Sequence, residues 1–256
     1  MKRINDYNKR LPILELYRCV QSEGSRFGRP TIAIRTTGCT HRCYFGEGGW
    51  CDSWYTSIHP EKGIYCFNDI IKIYKDNPHV REMMLTGGSP TMHPALVNEL
   101  THFANEKGIL ITIETEGSHF LSTDYPIGLI SLSPKFNNTV PILGAMTPAG
   151  KQTDERMIKQ HNKLRLNYEA IRLTLDYHTD YHFKPVWNGT DENLQEIETF
   201  RVKMNIPKDK TFIMPSGATR KQLIKMYPKV FEMVAREGYN MSGRGHIIAY
   251  DEDRYV

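Results

Sequence analysis

The chain has 256 residues, 39% hydrophobic and 24% charged, which suffices to bury one sizeable core in a single domain. Its 33 basic and 29 acidic residues are interspersed and leave a formal charge of +4, so no nucleic-acid partner is demanded, and no apolar run reaches the roughly 18 residues of a membrane span. Five cysteines, three of them bunched, do not resemble a secreted disulfide framework, and the opening Met-Lys-Arg-Ile-Asn-Asp leads into no signal-peptide core; a reducing, cytoplasmic setting is expected.

Taken in chain order, residues 31–37 read as a strand that delivers a cysteine-rich loop at its carboxyl end. A helical pattern over 67–76 follows, then a short strand over 82–86 ending in two glycines. Residues 95–106 have helical spacing, with Pro94 near the first turn and Gly108 as the stop. Strands are predicted over 109–114, 127–132, 183–187 and 211–214, and helices over 192–202 and 220–237. Repeated strand, loop and helix imply parallel strands with right-handed crossovers, hence an incomplete (β/α) barrel whose functional loops lie at the carboxyl ends of the strands. Residues 137–168 fit this pattern least: Pro141, Pro148 and Gly150 interrupt them, the polar helix after Thr153 has no strand partner, and the stretch reads as an insertion or lid within a single domain over 1–256.

The loop after the first of these strands reads Cys39-Thr-His-Arg-Cys43-Tyr-Phe-Gly-Glu-Gly-Gly-Trp-Cys51-Asp-Ser. Three clustered thiolates suit a cubane [4Fe–4S] cluster with one iron left open, whereas a structural zinc site wants four closed ligands and finds no fourth here. Zinc or plain buried thiols are the alternatives, and His41 suits a supporting or surface position. Cys19 and Cys66 read as ordinary buried thiols. The other distinctive motifs also end strands. Thr86-Gly87-Gly88-Ser89-Pro90 lets backbone approach a ligand closely. In Glu114-Thr115-Glu116-Gly117 the two acids are expected to diverge, with at most one entering the barrel mouth. Ser133-Pro134-Lys135 offers a hydroxyl and an ammonium suited to a carboxylate or ribose.

This order of motifs resembles the radical S-adenosylmethionine (SAM) superfamily and, within it, the 7-carboxy-7-deazaguanine synthase family of deazapurine (queuosine or related) biosynthesis. Val20-Gln21-Ser22-Glu23-Gly24 is similar to that family's Gln-Gly-Glu-Gly, Trp50-Cys51-Asp52-Ser53 to its Trp-Cys-Asp-Ser/Thr, Met214-Pro215-Ser216-Gly217 to Met-Pro-Glu-Gly, and Arg244-Gly245-His246-Ile247 to its Arg-Leu-His segment. Three departures stand out. Seven residues, rather than two, separate Cys43 from Cys51; Ser89 replaces the usual acid; and Ser22 replaces a glycine.

The resemblance implies a [4Fe–4S] cluster on Cys39, Cys43 and Cys51, and SAM held by Trp50, Cys51, Asp52, Gly88, Ser133, Pro134 and Lys135. It further implies magnesium on Ser53 and a pterin substrate at Val20, Gln21, Ser22, Glu23, Arg35, Thr86 and His246. The implied reaction is that of a lyase converting 6-carboxy-5,6,7,8-tetrahydropterin to 7-carboxy-7-deazaguanine with loss of ammonia. A reductase or flavodoxin-like protein would supply the electron, a homodimer is an open option for the assembly, and neither a membrane nor nucleic acid would be bound directly. Two rival readings are a radical activase that installs a glycyl radical on a partner protein, and a non-catalytic metal-binding module.

Overall fold

The computed structural model describes residues 3–256. Six strands lie side by side in chain order: β1 (Ile13–Val20), β2 (Pro30–Thr36), β3 (Glu82–Gly87), β4 (Leu110–Thr115), β5 (Leu129–Leu132) and β6 (Tyr181–Phe183). β1 runs antiparallel to β2, and each later neighbour is parallel. Parallel pairing requires long crossovers. These are made by α1 (Phe67–Asp76) after β2, α2 (Pro94–Lys107) after β3, and α3 (Glu155–Leu164) with α4 (Tyr168–Tyr177) after β5. The chain continues through β7 (Val186–Trp187), α5 (Asp191–Lys203), β8 (Phe212–Pro215), α6 (Arg220–Glu237), β9 (Asn240–Met241) and α7 (Gly245–Tyr250), with β7, β8 and β9 forming a second, parallel sheet of three strands. This is the incomplete, mostly parallel barrel expected from the sequence.

Local chemistry sets the helix ends. Pro94 opens α2 and Gly108 closes it in the left-handed region at φ 61°. Thr219 and Gln222 form a reciprocal capping box at the start of α6, and Gly238 stops it at φ 75°. Between helices and sheet, Ile32, Ile34, Met83, Leu85, Ile130, Leu132 and Phe183 are buried, each contributing about 1.5–3 kcal/mol by leaving water.

The strand predicted over 183–187 is two strands in two sheets. Lys184 still donates its N–H to the Leu132 carbonyl of β5 (2.7 Å), but Pro185 has no N–H, and its carbonyl accepts instead from Met214 of β8 (2.9 Å). The chain changes sheet at that proline. Four elements go beyond the sequence reading: β1, whose alternation is half masked by Glu15 and Arg18, α4, and the short pair β9 and α7. Among the described residues no strand pairing joins β9 to β1. Side chain and backbone bridge the gap instead: Gly24 N donates to Ser242 Oγ (2.9 Å) and Gly245 N to the Ser22 carbonyl (3.1 Å). No helix among the described residues is long and apolar enough to cross a membrane.

Candidate active site

A cavity of about 230 Å³ opens at the carboxyl ends of the strands. The loop after β2 forms one wall. It leaves the strand through Gly38 (φ 89°), whose N–H is held by the Thr56 carbonyl (2.8 Å). Gly88, after β3, packs so closely that a Cβ there would lie 1.9 Å from the Gly38 carbonyl oxygen. The seven residues between Cys43 and Cys51 fold back as a hairpin. Tyr44 and Trp50 pair antiparallel, Cys51 N donates to the Cys43 carbonyl (3.0 Å), and Gly46 and Gly49 turn the chain at positive φ. The enlarged spacing thus brings Cys51 back beside Cys43.

Burial pushes the Cys39 thiol up to about 12, the Cys43 thiol well above the usual range, and the Cys51 thiol up to about 11. Cys51 raises both Cys39 and Cys43, and Lys135 is the cation that pulls all three back. Among the described residues no three His, Cys, Asp or Glu side chains converge as ligands of a single metal ion. A cubane asks for something else: three thiolates on three different irons, supplied with positive charge by the cluster itself. The cysteine set fits that group.

His41 lies outside the set. Its Nδ1–H donates to the His161 carbonyl (3.2 Å), its Nε2 accepts from Ser118 Oγ (2.7 Å), and burial holds it near 4, so the ring is neutral and fully engaged. His161 reaches Thr139 Oγ1 (3.1 Å) and accepts from Arg42 N (3.2 Å), so α3 packs directly on the cysteine loop. Two expectations about the remaining thiols are corrected: neither is buried. Cys19 sits on β1 in the cavity wall, and Cys66 is the N-cap of α1, where a thiol replaces the usual hydroxyl.

The other walls carry an alternating string of charges. Arg35 Nε donates to the buried carboxylate of Glu15 (2.6 Å) and its Nη1 to Ser53 Oγ (2.9 Å), while Arg254 takes the second oxygen of Glu15 (2.8 Å). Across the cavity, Lys184 Nζ lies 2.5 Å from Glu23 and 2.8 Å from Glu114, and Arg244 joins Glu23 (3.2 Å) to Asp52. Thr86 Oγ1 donates to the free oxygen of Glu114 (2.7 Å). Burial pushes the Glu23 carboxyl up, but Lys184 and Arg244 outweigh it and hold the group at about 2. Lys135 Nζ donates to Ser133 Oγ (3.1 Å).

Of the residues singled out from sequence, Val20, Gln21, Ser22, Glu23, Arg35, Trp50, Cys51, Asp52, Ser53, Thr86, Gly88, Ser133, Lys135 and His246 all line this one cavity. Cys39, Cys43 and Pro134 are not among the lining residues. Gln21 has already committed its amide oxygen to the N–H groups of Ser22 (2.8 Å) and Glu23 (3.3 Å), so it shapes the loop that presents Glu23. Gly24 must be glycine, because a Cβ would sit 2.5 Å from the His182 ring. The expectation that only one of Glu114 and Glu116 enters the mouth is wrong: both line the cavity. Residues two apart on a strand share a face, and β4 ends only at Thr115. Ser89, where an acid was expected, donates to Glu116 (2.7 Å), so the carboxylate at that spot comes from the residue just after β4.

Sequence reasoning missed Lys184 and Glu15 altogether. Each is a charged residue inside an otherwise apolar strand pattern, which is the signal that would have found them. It quoted Arg244 only as part of a motif.

No family model matches the chain. The 7-carboxy-7-deazaguanine synthase of Halobacterium salinarum is 30% identical over 249 residues, covering 94% of this chain and 91% of that protein. The chain belongs to the 7-carboxy-7-deazaguanine synthase family. A second member, from Rhodopirellula baltica, is 30% identical over 237 residues, with 93% of this chain and 85% of that protein covered. The crystal structure of QueE from Escherichia coli shares the fold at a TM-score of 0.59 and 19% identity, covering 90% of this chain and 92% of that one. Membership in the synthase family sets aside the activase and the non-catalytic module, and QueE-type radical SAM enzymes imply a [4Fe–4S] cluster and SAM.

Proposed function

We propose that this protein converts 6-carboxy-5,6,7,8-tetrahydropterin to 7-carboxy-7-deazaguanine with loss of ammonia, as a radical SAM lyase of 7-deazapurine biosynthesis. One observation carries the reading: a charge-lined cavity with the cysteine-bearing loop in its wall, in a chain matched along nearly its whole length by 7-carboxy-7-deazaguanine synthases. Cys39, Cys43 and Cys51 would hold the cluster, which with SAM would supply hydrogen-abstracting radical chemistry, a reductase or flavodoxin-like protein being the electron donor.

The chain's own residues bind and orient. Gly88 leaves backbone room at the cluster wall, and the Ser133 hydroxyl with the Lys135 ammonium offers donors to the SAM carboxylate or ribose. Glu15 and Ser53 brace two nitrogens of Arg35, so the guanidinium is aimed before the substrate carboxylate arrives. Glu23 accepts from the N–H groups of the pterin edge, and neutral His246, 3.9 Å from Glu23, lies beside it. Residues 137–168 act as an insertion that braces the cysteine loop: Thr139 holds Tyr44 N (2.9 Å), and Trp50 Nε1 donates to the Met146 carbonyl (2.9 Å).

The test is product analysis. Reduced holoprotein given SAM and the pterin is expected to yield 7-carboxy-7-deazaguanine by mass spectrometry, with many products per SAM destroyed. Slow release of 5′-deoxyadenosine with no deazapurine would overturn the reading. Arg35→Lys should lower pterin binding roughly ten- to a hundredfold, because an ammonium cannot reproduce the fork and a charged hydrogen bond contributes about 1.5–3 kcal/mol.

Magnesium is proposed at Ser53, with a condition. Its hydroxyl already accepts from Arg35 and lies 3.4 Å from the Asp52 carboxylate, so a dication there meets a fixed guanidinium unless an anionic ligand enters with it. Calorimetry is expected to show magnesium binding to the pterin complex and none to the protein without pterin. Ser53→Ala should weaken it, and Ser53→Thr should keep it. Equal magnesium affinity with and without pterin would disprove this coupling.

A further inference from the structure

Lys184 is a buried cation on the cavity wall that none of the motifs includes. It extends β6 by one residue beyond Phe183, is 3% exposed, and touches Glu23 from the amino-terminal loop and Glu114 from the end of β4 at 2.5 and 2.8 Å. Two carboxylates brought together in a desolvated wall repel, and without a counter-charge one of them takes up a proton. Carboxylic acid and carboxylate differ in what they offer a ligand: the ionised form only accepts, whereas the acid turns one oxygen into a donor that meets a ligand N–H unfavourably.

We propose that Lys184 is a positioning residue for the substrate, holding Glu23 and Glu114 apart at a set distance and both ionised, as a pair of acceptors for ring and exocyclic N–H donors of the pterin. This rests on the pterin reading above and adds a residue to it. The placement is built from several directions. The second oxygen of Glu114 is fixed by Thr86, and that of Glu23 faces Arg244 and His246. Among the described residues Lys184 is therefore the one hydrogen-bonding partner the two carboxylates share, and it ties the loop after β1 to the end of β4. Pro185 follows directly and turns the chain into the second sheet, which pins the lysine backbone while its N–H is held by Leu132.

The charges around the pair decide the sign of the pH effect. Facing Glu23 and Lys184 are Glu114 from β4, Arg244 and His246 from the carboxyl-terminal segment, and His182 from β6; Asp52 lies beyond Arg244 and Cys19 beside Glu114. Burial raises the Glu23 carboxyl, and Lys184 is the largest influence lowering it, so removing the lysine moves that group upward. Its binding-competent form is then lost as pH falls through the new, higher value and regained as pH rises. In the native protein the same loss occurs only near 2.

The experiment compares native holoenzyme with Lys184→Met, which keeps length and apolar stem, and Lys184→Arg. KM for the pterin and kcat are measured across pH, alongside anaerobic calorimetry of pterin binding. Lys184→Met is expected to raise KM on the order of tenfold or more near neutrality, with a smaller change in kcat, and to add an acid limb to kcat/KM. Lys184→Arg should restore the native pH profile with KM between the two. A folded Lys184→Met with native KM and no added acid limb overturns the proposal, as a merely structural lysine would leave the pH profile unmoved. Should Lys184→Met fail to fold, Lys184→Arg decides alone, since a displaced donor must raise KM and an unchanged KM refutes the positioning role. If the native holoenzyme itself neither binds the pterin nor forms product, it is the functional reading that has failed.

Discussion

Alanine in place of Cys39, Cys43 or Cys51 is expected to abolish both the iron–sulfur absorbance and the cleavage of SAM. A methyl group offers no ligand atom, and a cubane held by three thiolates has none to spare. Rearrangement is also blocked. Cys51 is carried back to Cys43 by the Tyr44–Trp50 hairpin, so loss of one member cannot be covered by a neighbour in the loop, and His41 has both ring nitrogens engaged. Cys66→Ala should keep cluster and turnover, for its thiol only caps α1, and Cys19→Ala should keep the cluster. A full cluster signal with native SAM cleavage in Cys43→Ala would remove that residue from the ligand set.

Gly88→Ala is expected to be nearly as damaging, although the substitution adds one methyl group. The new Cβ would lie 1.9 Å from the Gly38 oxygen, 2.6 Å from its carbon and 3.3 Å from the Cys39 Cβ. The two nearest of these are backbone atoms that cannot rotate away, so the loop bearing Cys39 must shift, at about 1–3 kcal/mol or more. Iron content should fall sharply with a modest loss of thermal stability. Gly28→Ala is the control: its φ of 88° makes alanine costly by about 1–2 kcal/mol, yet a Cβ there has nothing within 4 Å. It should lower stability without touching the cluster. Native iron content in Gly88→Ala would show that the close approach is unnecessary.

Much of the fold is legible in the sequence because its signals are local. Helices over 67–76 and 220–237 begin at caps and end at a left-handed glycine or a break in periodicity, which only a few neighbouring residues determine. The strand read over 183–187 failed for a reason that is also local but easily overlooked: Pro185 cannot donate to a ladder, so the apolar run had to divide. The pairing that followed, β6 with β5 and β7 with β8, is long-range, and no run of residues announces it.

For the site, order along the chain sufficed to gather most residue types at strand ends, because β2 to β6 run parallel and deliver their carboxyl ends to the same face. Cysteine spacing, paired glycines and a Ser-Pro-Lys turn name the kind of chemistry without any contact being known. What those groups do to one another belongs to the tertiary structure alone. The Cys43 to Cys51 separation closes only because a hairpin forms. Ser89 is matched to Glu116 across 27 residues, and Arg35 to Glu15 across 20. Lys184 meets Glu23 across 161 residues and Arg244 meets Asp52 across 192. A charge in an apolar strand looks like an anomaly until its partner arrives from elsewhere in the chain. The ionisation of a buried group is set by whatever faces it in space, which sequence separation does not encode.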